Sequence, residues 1–325
     1  MTIPLSYAEI ESAAKVLEGV AHHTPILSSR LINKLVGAKV FFKCENFQKV
    51  GAFKFRGGFH AVSKLSDEQA QKGVCTHSSG NHAQAIALAA QTRGIPAYIV
   101  MPNNAPKVKR QAVLDYDAQV IDCEPTLIAR EHSAQKVIQE TGAHFIHPYN
   151  DRDVIAGQGT AARELILELG QREIELDAII APIGGGGLMS GTALSTSALS
   201  PNTLIWGAEP QGADDAYRSF KAGKLILQEQ PNTICDGLLT SLGSLTWPII
   251  QAHLEQIITV TDQEVLEALK LIMSRLKIIV EPSCATPLAA LLKQGLPKNI
   301  KNIGVILSGG NVDLERLALL CSNNQ

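Results

Sequence analysis

Four consecutive glycines, Gly184 to Gly187, restrict more than any other feature what this chain of 325 residues can form. This tetraglycine turn follows an apolar run at 178–183 and opens a segment with helical spacing at 187–199. Glycine lets a ligand approach the backbone closely, and a helix start offers N–H groups with partial positive charge. The pattern therefore predicts a strand, a turn and a helix with a phosphate site at the turn. The alternative is a plain flexible turn, which has no need of four glycines and their cost in backbone entropy.

Short apolar runs alternate with longer amphipathic segments along the rest of the chain. Two helix starts carry a capping box, formed by Ser6 with Glu9 and by Thr261 with Glu264. The alternation predicts an α/β protein with mainly parallel sheets. The predicted strands cover residues 40–44, 74–77, 97–101, 119–122, 178–183, 204–208 and 304–308. The predicted helices include residues 83–90, 106–114, 127–141 and 187–199.

Charge and composition exclude several classes of protein. A net charge of −2 provides no basic field for nucleic acid or an anionic membrane. No apolar run approaches the roughly 18 residues of a membrane span. Six scattered cysteines and a start without a secretory signal are typical of a reduced protein of the cytoplasm. We therefore expect a cytoplasmic protein that binds neither nucleic acid nor membrane.

Lys54 lies between Phe53 and Phe55, with small residues nearby. Apolar surroundings strip water from an ammonium group, which lowers the pKa of the lysine and frees its amine as a nucleophile. Such an amine can form a Schiff base with an aldehyde cofactor. Taken alone, however, this window favours the ordinary alternative, in which the lysine extends into solvent.

Two further turns carry polar groups between a strand and a helix. Residues 78–82 supply hydroxyl and amide groups where a helix begins, which suits a carboxylate ligand. Ordinary helix capping is the alternative. Ser308 precedes Gly309 and Gly310 at the predicted carboxyl end of a strand, the edge where open parallel sheets bind ligands. A tight turn is the alternative there.

Glu209 has two interpretations. It follows the strand after the tetraglycine turn, as the acidic residue of a dinucleotide-binding fold does. A nicotinamide-dependent oxidoreductase is disfavoured, however, because Met189 or Ser190 stands where the third glycine of that motif belongs. Alternatively, Glu209 and Asp215 with a backbone carbonyl between them suit Mg²⁺ or Ca²⁺. Spacing alone favours a solvated acidic loop over a metal site.

Taken together, the motifs resemble the fold-type II (tryptophan synthase β-like) enzymes that use pyridoxal phosphate (PLP). Within them the chain is similar to the branch of serine racemase, threonine ammonia-lyase and threo-3-hydroxyaspartate dehydratase. The resemblance covers nearly the whole chain and adds Thr24-Pro25, residues 156–160, Glu281-Pro282 and Asn311 to the motifs above. It implies two open, mainly parallel sheets flanked by helices, and a homodimer. It also implies a large PLP-binding domain (1–52 and 148–325) and a small domain (53–147).

The resemblance implies a role for each matching residue. Lys54 binds PLP and later removes the Cα proton of the substrate. Phe53 packs beside the cofactor, Asn81 hydrogen-bonds its ring oxygen and Ser308 faces its pyridine nitrogen. Ser79 stands on the face opposite Lys54, where a second base permits racemisation. The phosphate ligands are Gly184, Gly185, Gly186, Gly187 and Leu188, and the substrate carboxylate ligands are Ser78, Ser79, Gly80, Asn81 and His82.

The implied reaction is a β-elimination, in which L-serine or L-threonine loses water and then ammonia to give a 2-oxo acid. Serine racemase and threo-3-hydroxyaspartate ammonia-lyase are the alternatives within the branch. Arg130 and His147 are candidates for contact with a second substrate carboxylate. A non-catalytic PLP carrier is a further class, but it would need neither Lys54 nor Ser79.

The resemblance also reverses the interpretation of the acidic loop. Serine racemases and hydroxyaspartate dehydratases match at Glu209, at the carbonyl of Ala213 and at Asp215. A divalent cation, Mg²⁺ or Ca²⁺, is therefore expected there. Its role would be structural or activating, because it would lie too far from the Schiff base to act directly on the reaction.

Overall fold

The computed structural model describes residues 3–105 and 107–322, in which ten strands form two sheets. The strands are β1 (Ile26–Leu27), β2 (Lys39–Cys44), β3 (Val74–His77), β4 (Ala97–Pro102), β5 (Gln119–Cys123), β6 (His144–Phe145), β7 (Ala178–Pro182), β8 (Leu204–Pro210), β9 (Gln256–Val260) and β10 (Asn302–Leu307). One sheet has the order β1-β2-β10-β7-β8-β9 and the other the order β5-β4-β3-β6. All neighbouring strands are parallel except β1 and β2. The prediction of mainly parallel sheets is confirmed.

Helices cover both faces of the six-stranded sheet, as a parallel sheet requires. The α-helices of the described residues are α1 (Tyr7–Leu17), α2 (Arg30–Val36), α3 (Lys54–Ser63), α4 (Asp67–Lys72), α5 (Asn81–Arg93), α6 (Lys107–Leu114), α7 (Leu127–Thr141), α8 (Arg152–Gln171), α9 (Gly187–Leu199), α10 (Asp215–Ala222), α11 (Thr246–His253), α12 (Asp262–Leu276), α13 (Pro282–Gln294) and α14 (Leu314–Ser322). Alternate residues of β7 enter two separate cores. Ala178 and Ile180 pack with α12 and α13, whereas Ile179 and Ala181 pack with α8 and α9.

The predicted strands are all present, with ends that differ by at most two residues. β8 runs two residues further than predicted, to Pro210, so that Glu209 lies inside the strand and not after it. Three strands lie outside the predicted ranges, β1, β6 and β9. β1 and β6 are each only two residues long, and β9 is an edge strand in which only Ile257 and Val260 are buried.

The two helix starts predicted from capping boxes are also confirmed. The backbone N–H of Ser6 donates to the Glu9 carboxylate at 2.9 Å, and that of Thr261 donates to Glu264 at 2.7 Å. The helix predicted at 106–114 begins at Lys107, and Pro106 lies outside the described residues. No helix of the described ranges is both long enough and apolar enough to cross a membrane.

Arg56, in the first turn of α3, is fully buried and holds this helix against two other elements. Its Nε and one terminal nitrogen donate to the two oxygens of Glu45 at 2.7 and 2.8 Å. Its terminal nitrogens also donate to the two oxygens of Glu164 on α8, at 2.6 and 2.8 Å. Lys43 of β2 adds a contact from its Nζ to Glu164 at 2.7 Å. Two cations and two carboxylates thus share one buried cluster.

Glu45→Gln should lower the free energy of unfolding by about 3–5 kcal/mol, because Arg56 would stay buried after losing the charge of one partner. Denaturant unfolding measures this loss. Glu68→Gln is the matched control, because Glu68 pairs with Lys72 at an exposed surface and such pairs contribute at most about 1 kcal/mol. Equal losses in the two variants would contradict the prediction.

Candidate active site

Two loops meet at the carboxyl ends of neighbouring parallel strands. β7 leads to the tetraglycine turn, and β10 leads to Ser308. Lys54 begins α3, and the backbone just before it is bound to the end of β10. The N–H of Phe53 donates to the Ser308 carbonyl at 3.0 Å, and Ala52 pairs with Gly309. The six-stranded sheet therefore brings Lys54 and Ser308 together, although they lie far apart in the sequence.

The amine of Lys54 is held inside the cleft. Its Nζ donates to the carbonyl of Pro148 at 2.7 Å and lies 5.2 Å from the centroid of the Phe53 ring. Burial of the ammonium lowers the pKa of Lys54 to about 8, although the negative charge of Glu281 acts in the opposite direction. Near pH 8, about half of the amine is therefore neutral, the form that attacks an aldehyde or accepts a proton.

Tyr149 connects the lysine to the tetraglycine turn, because it follows Pro148 and packs its ring against Gly185. A Cβ at Gly185 would collide with that ring, so only glycine permits the contact. Gly186, at φ 84°, is the N-cap of α9 and has no side chain to bind the first N–H groups of the helix. Those groups remain available to an anion at the positive end of the helix dipole. The turn therefore fits a phosphate group, and Tyr149 connects it to the segment that binds the Lys54 amine.

The loop of residues 78–82 leads from β3 into α5, which begins at Asn81, two residues earlier than predicted. The Oγ of Ser78 accepts the N–H of Gly80 at 3.3 Å, which closes the loop on itself. Ser79 is partly buried within it. Hydroxyl groups and a helix start therefore lie together here, as the sequence predicts, and they suit a carboxylate.

Two histidines lie near the lysine, and both are neutral. His82 is buried, with its Nε2 3.3 Å from the carbonyl of Ile146. Burial and then the charge of Lys54 hold the pKa of His82 well below its usual range. The Nδ1 of His147 accepts the N–H of Asn150 at 2.9 Å, which places the ring proton on Nε2. Burial, followed by the electrostatic effects of His77 and Lys54, lowers the pKa of His147 to about 4.

Two polar residues to which the sequence assigns no individual role bind Asn81. Its Nδ2 donates to both oxygens of Glu281, each at 3.1 Å, and its Oδ1 accepts from Asn311 at 2.9 Å. Glu281-Pro282 and Asn311 belong to motifs that are visible in the sequence. Nothing in their spacing, however, indicates that they meet at Asn81.

Glu209 and Asp215, the predicted metal ligands, are both fully buried. Glu209 accepts the N–H groups of Ala216 and Tyr217 at 3.0 and 2.9 Å. The Oδ2 of Asp215 accepts the N–H of Leu242 at 3.0 Å, while its Oδ1 has no hydrogen-bond partner among the described residues. Burial and then the charge of Asp215 raise the pKa of Glu209 well above its usual range, and burial raises the pKa of Asp215 to about 6. These residues fit a hard cation, which would offset the cost of burying two carboxylates.

The pyridoxal-phosphate dependent enzyme family matches this sequence over residues 17–309, a range that includes Lys54, the tetraglycine turn and Ser308. The chain belongs to this family. The β-hydroxyaspartate dehydratase of Paracoccus denitrificans is 50% identical over 317 residues, which cover 98% of this chain and 99% of the relative. The maize serine racemase structure aligns with a TM-score of 0.93 at 46% identity, covering 97% of this chain and 96% of the other. The structure of the T.th. threonine deaminase aligns with a TM-score of 0.90 at 43% identity, covering 95% and 99%.

The family match and these relatives confirm the resemblance drawn from the sequence motifs. The enzyme has the fold-type II α/β architecture, and its relatives include serine racemases, hydroxyaspartate dehydratases and threonine deaminases. Its cofactor is PLP. The alternative cofactor, a nicotinamide dinucleotide, is therefore rejected. The start of α9, which has no side-chain cap, and the partly neutral amine of Lys54 fit that cofactor.

Gly185→Ala should weaken the retention of PLP, because the new Cβ would meet the Tyr149 ring and displace the N–H groups of the turn. After dialysis against buffer without cofactor, this variant should keep a smaller fraction of the cofactor absorbance than the wild type does. Gly170→Ala is the matched control, since a Cβ there meets no atom within 4 Å. Equal retention by the two variants would count against a phosphate site at the turn.

Proposed function

We propose that this enzyme removes water and then ammonia from a small hydroxy amino acid by PLP-dependent β-elimination. L-serine and L-threonine are the first candidate substrates, and the products are a 2-oxo acid and ammonia. The observation that carries the proposal is the Lys54 amine, with a pKa of about 8, which binds the carbonyl of Pro148 directly before Tyr149, the residue whose ring packs against the tetraglycine turn. The identity of 43–50% to a threonine deaminase and a hydroxyaspartate dehydratase supports it.

When bound, PLP supplies an aldehyde for the substrate amine and a ring that withdraws electrons from Cα. The tetraglycine turn and Leu188 would bind its phosphate, Phe53 would pack beside its ring, and Ser308 would face the ring nitrogen. A neutral hydroxyl at that nitrogen does not force its protonation, which suits prompt elimination. Lys54 would take the Cα proton, because a base is most effective when its pKa is near the working pH. The loop at 78–82 would orient the substrate carboxylate.

Racemisation of serine is the second candidate activity, and the identity of 46% to the maize serine racemase favours it. The reaction requires that a proton leave one face of Cα and return to the other. Lys54 would serve one face, and the hydroxyl of Ser79 would serve the opposite face. Ser79 belongs to the same loop that would bind the carboxylate, so it would lie close to Cα.

A 3-hydroxyaspartate substrate would need a cation for its second carboxylate, and Arg130 is the better candidate. Its Nε is buried and has no hydrogen-bond partner in the described part of the chain. Burial lowers the pKa of His77, the charge of Glu131 opposes this shift, and the charge of Arg130 adds to it. The ring centroids of His77 and His147 are 6.1 Å apart. The row of side chains that includes Arg130 and His77 therefore continues through His147 toward Lys54. A guanidinium with an unpartnered Nε–H group in such a place suits a carboxylate.

We also propose that Glu209, Asp215 and the carbonyl of Ala213 bind Mg²⁺ or Ca²⁺. No group of three or more His, Cys, Asp or Glu side chains in the described residues is arranged to hold a metal ion, so carbonyl and water oxygens would complete the site. The role would be structural. Asp215 binds the N–H of Leu242, and a Cβ at Gly186 would lie 2.8 Å from the Leu242 side chain. A cation at Asp215 would thereby brace the tetraglycine turn.

The remaining expectations are proposals of assembly and location. The four-stranded sheet, β3 to β6, falls within residues 53–147, which supports a small domain there beside a large domain of 1–52 and 148–325. Phe47, Ile279 and Leu314 are exposed around one cavity of about 410 Å³, which suits coverage by a second copy in a homodimer. All six cysteines are free thiols, which suits the cytoplasm.

Borohydride reduction of the purified enzyme should fix the cofactor on Lys54, as peptide mapping by mass spectrometry would show. Lys54→Ala should lower the elimination rate at least about 10²-fold through loss of the base, while Lys72→Ala, at an exposed lysine, should not.

Ser79→Ala should lower D-serine formation far more than 2-oxo acid formation. Rates with L-serine, L-threonine and 3-hydroxyaspartate identify the preferred substrate. If borohydride fixed the cofactor on a lysine other than Lys54, that result would contradict the proposed function.

Mg²⁺ at about 100 times its dissociation constant should raise the free energy of unfolding of the chelator-treated enzyme by about 2.7 kcal/mol. Asp215→Asn should abolish this gain, because it removes the oxygen that lacks a partner. Asp214→Asn is the matched control, since the Asp214 carboxylate instead pairs with Arg218 at 2.8 Å, and it should keep the gain. A full response in Asp215→Asn would rule out this site.

A further inference from the structure

Glu281 is the N-cap residue of α13, yet its side chain does not cap that helix. N-cap residues are usually short polar ones whose oxygen binds the first turn. The Glu281 carboxylate, in a residue only 5% exposed, turns instead into the cleft and accepts both contacts from the Asn81 amide. Burial of a carboxylate is unfavourable without partners. A buried carboxylate that does not cap its own helix therefore implies a role at another site.

The backbone around Glu281 makes room for this carboxylate. A Cβ at Gly309 would lie 2.9 Å from Glu281 Oε1, and a Cβ at Gly237 would lie 3.9 Å from it. The N–H of Glu281 also donates to the carbonyl of Gly309 at 3.1 Å. Gly309 comes directly after Ser308. Because Gly309 has no side chain, the Glu281 carboxylate can lie against the end of β10.

Asn311 fixes the orientation of the Asn81 amide. Its Nδ2 donates to the carbonyl of Val50 at 2.6 Å and to Asn81 Oδ1 at 2.9 Å. Because Asn81 Oδ1 accepts there, its NH₂ group must point toward Glu281, which as a carboxylate can only accept. Val50 itself has φ 56°, a strained value for a β-branched residue, and it lies in the turn just before Lys54. The network thus joins the lysine loop, α5 and the end of β10.

The charges around Glu281 and Lys54 are coupled. Burial raises the pKa of Glu281 to about 7, the charge of Asp236 adds to this rise, and Asn81 and Lys109 oppose it. Lys109 and Asp236 are themselves paired at 2.7 Å. Glu281 in turn raises the pKa of Lys54. The other titratable groups that face the pair are His82 and His147 beside Lys54, and the thiols Cys235 and Cys284 beside Glu281.

We propose that Glu281 is a positioning residue of the active site: through Asn81 it directs an amide N–H toward the ring oxygen of PLP, and its negative charge favours the protonated nitrogen of Lys54. The inference rests on the proposed function, in which Lys54 binds the cofactor. Asn81 carries two amide hydrogens, so one can bind Glu281 while the other remains for the cofactor. Asn311 completes the arrangement by holding the amide oxygen away.

Glu281→Gln tests the proposal, because it keeps the shape of the side chain and removes its charge. Holoenzymes are titrated with pH while the absorption band of the lysine-bound cofactor is recorded, and the midpoint of its change reports protonation of the Lys54 nitrogen. The midpoint should fall by about 1 pH unit in Glu281→Gln, because loss of a nearby negative charge destabilises the protonated form. Glu281→Asp retains the charge, so its midpoint should lie close to that of the wild type.

Asp236→Asn provides a second measurement of opposite sign. Asp236 opposes the ionisation of Glu281, so its neutralisation should raise the midpoint. If Glu281→Gln does not fold, a midpoint that stays or falls in Asp236→Asn overturns the proposal. An unchanged midpoint in a folded Glu281→Gln that binds PLP at Lys54 overturns it as well. A wild-type enzyme that binds PLP at another lysine overturns the proposed function instead, so the two failures are distinguishable.

Discussion

A buried guanidinium holds the active site in place. Arg56 lies two residues after Lys54 and binds carboxylates from two other elements, Glu45 at the end of β2 and Glu164 on α8. An ion buried without partners costs several kcal/mol, so α3 has one favourable position, in which all these contacts form. That position brings the first residue of α3 to the carboxyl end of β10. The position of the Lys54 amine therefore depends on the buried cluster of Arg56 and its partner carboxylates.

The cleft has an electrostatic balance that suits amine chemistry. Burial leaves Lys54 partly neutral near pH 8, and it keeps His82 and His147 uncharged. Glu281 limits the loss of the proton from the lysine without restoring its full basicity. An amine in this state can both attack an aldehyde and accept a proton. The start of α9 adds positive potential at the tetraglycine turn without another ionisable group.

Much of the fold and part of the site could be predicted because their signals are local. Apolar runs mark the central strands, which are buried on both faces, whereas β9 escaped prediction because an edge strand buries few of its residues. Lys54, the tetraglycine turn and Ser308 each lie in a short window of strand, turn and helix. Glu209 and Asp215 are close in sequence, but the unpartnered oxygen of Asp215 is visible only after folding, since it depends on Leu242 binding the other oxygen.

The sequence by itself determined the α/β class, the polar and glycine-rich turns at the strand ends and, through the order of its motifs, the PLP family. Backbone preferences and apolar periodicity act over a few residues, so they can be recognised without a structure. Only the tertiary structure decided which distant side chains share a contact. The partners Asn81 and Glu281, or Arg56 and Glu164, are separated by a hundred residues or more. Their meeting depends on how the sheets and helices pack, and the pKa of Lys54 depends on that packing too.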